Sequence, residues 1–221
     1  MKHNSLPLNW ETIDTVLLDM DGTLLDLHFD TYFWCEHLPR TISQRDGRDF
    51  ESTRNSVVPQ LRAAIGTLEF YCIDYWSDYF SLDILALKTE VADRIALRDG
   101  AREFLDFLKL SRKTVLLTTN AHRATVDLKM TRTGLRACFD GISCSHELGY
   151  AKEHAAFWPQ FREMWDIDYS RCLFIDDTPR VLRAAQAVGI TQLLSITKPD
   201  SQSPPQEPEG FIQTNDFREL Y

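Results

Sequence analysis

The run Val16-Leu17-Leu18-Asp19-Met20-Asp21-Gly22-Thr23-Leu24-Leu25 sets three apolar residues directly before two carboxylates spaced i, i+2. An apolar run this short, closed by glycine, reads as a buried strand rather than a helix. Its acids then fall where the strand ends and a loop begins. In open α/β folds that edge is where ligands bind. Two carboxylates so placed repel each other unless a cation lies between them or one holds a proton. The stretch therefore points to a metal site, an acid/base pair, or a nucleophile with its helper.

The rest of the chain supplies the sheet that such a strand needs. Apolar strands are expected at residues 14–18, 114–118, 139–144, 172–175 and 190–196, with a short closing strand at Phe211-Ile212. Helices are expected between them, at residues 101–110, 121–133, 155–165 and 178–188. Strands alternating with helices predict a doubly wound, Rossmann-like parallel sheet with helices on both faces. Residues 1–12 read as a lead-in, with Leu8 and Trp10 covering an edge, and residues 199–210 as a loop.

The alternation stops between about Phe29 and Ile95. The positions 61, 65, 68, 72, 75 and 79 follow a helical period and are apolar or aromatic, while residues 43–55 are polar. The expected organisation is a core of residues 1–27 and 96–221, with an all-helical insertion at 28–95. Inserted after the first strand, those helices would sit above the C-terminal edge of the sheet.

Four groups fall just past strand ends: Asp19 with Asp21, Thr119 with Asn120, Lys152, and Asp176 with Asp177. In a parallel sheet these ends share one rim, so residues distant in sequence meet there. Each group has a plain reading when taken alone: an Asx-turn, a helix N-cap pair, a surface lysine. Together they suit phosphoryl transfer. One carboxylate attacks phosphorus, a second moves protons, and others hold a hard cation such as Mg²⁺. A lysine and a hydroxyl complete a cradle for the phosphate.

Asp19-Met20-Asp21-Gly22-Thr23 resembles the first motif of the haloacid-dehalogenase (HAD) superfamily. Thr119, Lys152 and Asp176-Asp177 resemble its other three motifs, in the expected order, and the helical insertion resembles a C1-type cap. A narrower resemblance runs along nearly the whole chain, to bacterial 5′-nucleotidases of this superfamily that act on GMP and IMP. It includes Tyr32-Phe33-Trp34, Tyr71-Cys72-Ile73-Asp74-Tyr75-Trp76-Ser77, Asn120-Ala121-His122 and Gly149-Tyr150-Ala151-Lys152-Glu153.

The resemblance implies Asp19 as nucleophile and Mg²⁺ ligand, and Asp21 as acid/base with its backbone carbonyl on the metal. It implies Thr119 and Asn120 on the phosphoryl oxygens and Lys152 against nucleophile and phosphate. Asp177 would be a metal ligand, with Asp176 a second or water-mediated one. Glu153 departs from the pattern, since many members have proline after the lysine. Among the aromatics of the insertion, Tyr71 and Tyr75 are the candidate substrate contacts because they are amphipathic. His122, beside the second motif, is a candidate phosphate contact.

Composition limits the partners. The chain has 33 acidic against 24 basic residues, a net charge of −9, which disfavours coating a nucleic acid. It leaves open a single nucleotide in a local pocket. Five cysteines without a Cys-x-x-Cys pair read as free thiols in a reducing compartment. No membrane span or signal peptide is visible, so the expectation is a cytoplasmic enzyme, monomeric or a small homo-oligomer. Its expected substrate is a purine 5′-mononucleotide, with a sugar phosphate or other small phosphomonoester as the alternative. A phosphomutase shares all four motifs. A dehalogenase needs no acid at position 21, and an idle binding module would keep such clustered charge at a cost.

Overall fold

The computed structural model describes residues 8–207 and 210–221. The first part of the expected lead-in and two residues of the loop at 199–210 lie outside the described residues. In chain order the elements are β1 (Thr15–Leu18), then α1 (His28–Tyr32), α2 (Leu38–Asp46), α3 (Phe50–Ala63), α4 (Ile73–Phe80) and α5 (Ile84–Glu90). There follow α6 (Ala101–Leu110), β2 (Thr114–Thr119), α7 (Arg123–Thr133), β3 (Gly141–Cys144), α8 (Ser145–Leu148) and α9 (Phe157–Trp165). The chain ends with β4 (Cys172–Asp176), α10 (Pro179–Ala187), β5 (Gln192–Ile196) and β6 (Ile212–Thr214).

Among the described residues six strands form one sheet in the order β3-β2-β1-β4-β5-β6, every neighbouring pair parallel. β1 is central, and its four residues are all buried. A strand covered on both faces has no need of polar alternation, which is why it reads as a continuous apolar run. The alternation appears instead in which layer each residue joins. Val16, Leu18, Val115, Leu117 and Ile175 pack on one face, with Phe104 and Leu105 of α6 and Val126 and Met130 of α7. Leu17, Leu116 and Phe174 pack on the other, with Trp158 and Phe161 of α9 and Leu182 and Ala185 of α10. Each side chain fully buried in this way contributes roughly 1.5–3 kcal/mol.

The register decides what meets at the rim. Leu18 is level with Leu117 on one side and with Ile175 on the other. Asp19 therefore emerges between Thr118 and Asp176, and its N–H donates to Ile175 O at 3.0 Å.

Between β1 and β2 the described residues form helices and no named strand. Residues 28–46 run on continuously, with a π-helical turn at Phe33–His37 between α1 and α2. The polar stretch at 43–55 is largely helical, in keeping with the expected all-helical insertion. The helical period from 61 to 79 is divided between separate elements. α3 ends at Ala63, a 3₁₀ turn covers Glu69–Tyr71, and α4 starts at Ile73. Gly66 breaks the run with φ +92°, a conformation glycine tolerates and a helix interior does not. Asp49 caps α3, its carboxylate accepting from Ser52 N, so the helix starts inside the polar segment.

Trp10 packs on α6 and the C-terminal turn and not on an edge strand, its indole N–H donating to Leu220 O at 2.8 Å and its ring against Phe104 and Phe107. All five cysteines are unpaired. No helix of the described residues is long and apolar enough to cross a membrane.

Candidate active site

The loop after β1 turns sharply at Gly22, whose φ is +84°. A Cβ on this residue would lie 2.7 Å from Asp177 Cγ and 2.9 Å from Pro199 Cβ. Glycine is thus required twice, for backbone conformation and for the approach of Asp177. Gly22→Ala is expected to destabilise the protein by about 2–4 kcal/mol, combining left-handed strain with overpacking. A shifted urea midpoint with an unchanged slope checks it.

Lys152 lies at the centre of the rim. Its ammonium is buried and donates to Asp19 Oδ1 at 2.5 Å, Asp176 Oδ2 at 2.7 Å and Thr118 O at 3.0 Å. All three of its hydrogens are therefore used. The loop carrying it is held from β2: Asn120 Oδ1 accepts from Lys152 N at 2.8 Å, and Asn120 Nδ2 donates to Glu153 Oε2 at 2.9 Å. Trp158 donates its indole N–H to Lys152 O at 2.9 Å. The side chain of Asn120 thus serves as a strut between the end of β2 and the loop after α8, which carries Lys152 one short helix beyond β3 and not directly at its end. Thr119 Oγ1 accepts from Ala121 N at 3.1 Å and fixes the turn after β2.

Asp19, Asp176 and Asp177 each offer an oxygen, and those oxygens lie within 4.8 Å of one another. Two of these carboxylates, Asp19 and Asp176, share the Lys152 ammonium, and Asp177 lies beside them without a hydrogen bond to it. Burial pushes the Asp19 carboxyl up to about 6, with Lys152 opposing and Asp176 reinforcing the shift. Burial also raises Asp176, with Lys152 opposing and Glu153 adding, and it raises Asp177 strongly, with Asp176 and Asp19 adding. Burial works against the charge of Lys152, but Asp176 and Asp19 outweigh it and hold the ammonium protonated. The negative charge exceeds the positive. A compact, all-oxygen donor set with uncompensated negative charge fits a hard divalent cation such as Mg²⁺.

Asp21 stands apart from that cluster. Its Oδ1 accepts from Lys129 Nζ at 2.6 Å. Burial raises its carboxyl to about 6, against the pull of Lys129. Sequence reasoning missed Lys129, together with Asp30 and Lys88, which continue the contact into the helical insertion. The signal was a lysine in an apolar position of a helix face. Lys129 sits among Thr125, Val126 and Met130, and Lys88 beside Ile84 and Leu87.

A cavity of about 360 Å³ opens between the rim and the insertion. Asp19, Asp21, Thr119, Asn120, His122, Lys152, Asp176 and Asp177 all line it, and so does Tyr71. Trp34, Leu61, Ile65, Phe70 and Ile73 form an apolar wall opposite. Tyr71 donates its hydroxyl to Glu153 Oε1 at 2.8 Å, so Glu153 receives an insertion residue and Asn120 together. Arg62 and Arg180 add cationic groups that the sequence reading did not single out. His122 Nε2 is 3.5 Å from Asp74 of α4. Tyr75 is not brought to the cavity. α4 turns Ile73, Trp76 and Phe80 inward, leaving Tyr75 41% exposed and stacked on Tyr79.

A parallel sheet with an acid-rich C-terminal rim and a helical insertion over it defines a class of hydrolase. The profile of the haloacid dehalogenase-like hydrolases matches residues 13–189, and the chain belongs to that family. It is 40% identical over 211 residues to the GMP/IMP nucleotidase YrfG of Escherichia coli, covering 96% of this chain and 95% of that protein. A bifunctional riboflavin kinase/FMN phosphatase of Arabidopsis thaliana is 27% identical over 82% of this chain and 48% of its own length. Among solved structures, a HAD phosphatase of Thermococcus onnurineus superposes with a TM-score of 0.79 at 16% identity, covering 94% of this chain and 96% of that one. The HAD-hydrolase YfnB of Bacillus subtilis, solved bound to magnesium, gives 0.66 at 19% identity, covering 95% and 97%.

Proposed function

We propose that this enzyme is a Mg²⁺-dependent 5′-nucleotidase that hydrolyses purine mononucleotides, GMP and IMP, through an aspartyl-phosphate on Asp19. The observation that carries the reading is the meeting of Asp19, Lys152, Asp176 and Asp177 at one rim, with Asp21 lining the same cavity. The nucleotide part rests on the likeness to YrfG, which includes the insertion. We further propose residues 28–95 as a cap domain and residues 1–27 and 96–221 as the catalytic core.

Asp19 attacks the phosphorus and forms the acyl phosphate as the ester oxygen departs. Asp21 gives that oxygen a proton. It then takes one from a water that attacks the acyl phosphate, releasing phosphate and restoring Asp19. Lys152 holds the Asp19 carboxylate in place and lends positive charge to the transferring group. Thr119 and Asn120 form the turn on which the phosphoryl oxygens rest. Asp19, Asp177 and the backbone carbonyl of Asp21 would hold Mg²⁺, with Asp176 directly or through water. The bound ion supplies Lewis-acid charge stabilisation to the phosphoryl group. The apolar wall and Tyr71 receive the nucleoside, and His122 borders its phosphate end.

The test is phosphate release from a panel of phosphomonoesters with Mg²⁺ and with chelator. The expected result is preference for GMP and IMP, lost with chelator. Preference for a sugar phosphate or FMN would move the substrate and keep the chemistry. No release from any member would sink both.

A further inference from the structure

Two lysines that the reaction does not use are buried side by side beneath the insertion. Lys129 of α7 and Lys88 of α5 are each 1% exposed. Asp30 of α1 lies between them. Its Oδ2 accepts from Lys129 Nζ at 2.5 Å and its Oδ1 from Lys88 Nζ at 2.7 Å. Lys129 also donates to Asp21 Oδ1 at 2.6 Å. The four groups form a linear chain, Lys88–Asp30–Lys129–Asp21, with two charges of each sign.

The chain is built rather than incidental. The Lys88 ammonium lies 4.4 Å from the Phe33 ring centroid, 4.9 Å from Trp34 and 5.1 Å from Phe29. Lys129 faces Phe29 as well, at 5.1 Å. Burial opposes ionisation of Asp30, yet Lys129 and Lys88 override it and hold its carboxyl at about 2. Two ammonium groups removed from water are costly unless paired. Each has carboxylate and aromatic partners. Two of the residues come from the insertion and two from the core, so the chain crosses the boundary.

We propose that Lys129 is a positioning residue for Asp21 and that Asp30 and Lys88 tie this positioning to the seating of the helical insertion. Lys129 occupies one carboxylate oxygen, Oδ1, and so turns the other, Oδ2, toward the cavity for proton transfer. Asp30 prevents Lys129 from swinging away. Lys88, on α5, keeps Asp30 in place within the insertion, and the Asp30–Lys129 contact holds only while the insertion rests on the core. Asp21 is thereby aimed when the insertion is seated and unconstrained when it lifts.

The inference rests on the reading of Asp21 as the acid/base, and the test separates the two. An alkoxide leaving group needs a proton from Asp21, whereas p-nitrophenolate departs without one. kcat/KM reports only the steps through the first irreversible one, which excludes Asp21's later work as a base. It is measured for a purine 5′-mononucleotide, or another alkyl phosphomonoester the wild type hydrolyses, and for p-nitrophenyl phosphate. Lys129→Met is expected to lower the alkyl value by about 10²-fold or more and the aryl value by less than about threefold. Lys88→Met, which leaves the three inner groups in contact, is expected to give the same split at about 10-fold. It also serves if Lys129→Met does not fold. Asp21→Asn runs beside them. If Asp21→Asn shows the split and the lysine variants lose both substrates equally or neither, positioning is overturned. If Asp21→Asn shows no split, the acid/base reading falls and the inference with it.

Discussion

Asp19→Asn is expected to lose turnover by on the order of 10⁴–10⁶-fold, the scale on which a missing nucleophile is felt. The amide keeps the shape of the carboxylate but has no anionic oxygen to attack phosphorus. The loss should not come from unfolding. Burial already raises the Asp19 carboxyl to about 6, with Asp176 adding to the shift. A carboxyl raised above its unfolded value weakens the fold once pH exceeds the unfolded value, because the unfolded chain ionises more easily. At neutral pH the neutral amide therefore leaves stability unchanged or raises it by about 1–2 kcal/mol. Phosphate release and thermal denaturation check the two halves separately. Activity within a hundredfold of wild type would assign the attack to another group, and a large drop in melting temperature would mean the loss is structural.

The contrast between what was and was not legible follows from where each signal lies. The sheet could be read because β1, β2 and β4 are buried on both faces and show as uninterrupted apolar runs. The rim acids could be read because a parallel sheet brings strand ends together whatever their sequence separation. The insertion was harder. Its helices are short, and Gly66 splits a run whose spacing alone suggests continuity. Tyr71 and Tyr75 are four residues apart and equally amphipathic. The 3₁₀ turn at Glu69–Tyr71 directs one into the cavity, and α4 carries the other to the surface. Nothing local separates them, because the difference is made by a tertiary choice of which face of α4 is buried. Lys88 and Lys129 were legible in principle, as lysines on apolar faces. Their partner Asp30 was not, since an isolated acid in a helical stretch usually faces water.

Lys152→Met carries the second large effect, because one ammonium restrains a whole cluster. Its donors reach Asp19, Asp176 and the carbonyl of Thr118. Methionine fills similar volume but leaves Asp19, Asp176 and Asp177 with no cation among them. Breaking a buried charge pair by removing one partner costs about 3–5 kcal/mol. Activity falls by about 10²–10³-fold or more, since a charge stabilising the transferring group is lost as well. The stability loss should depend on the medium. A divalent cation held by the same carboxylates supplies positive charge that Lys152 no longer provides. A ligand at 100 times its dissociation constant stabilises by about 2.7 kcal/mol. Mg²⁺ is therefore expected to raise the melting temperature of the variant by more than that of the wild type, whose ammonium already neutralises part of the site. Thermal denaturation of both proteins in Mg²⁺ and in chelator measures the difference. Equal shifts would mean that the ammonium and the ion act on separate charges, and that the cluster is not the metal site. A larger shift in the variant would place both on the same three carboxylates, while the loss of turnover persists because methionine restores no donor to Asp19.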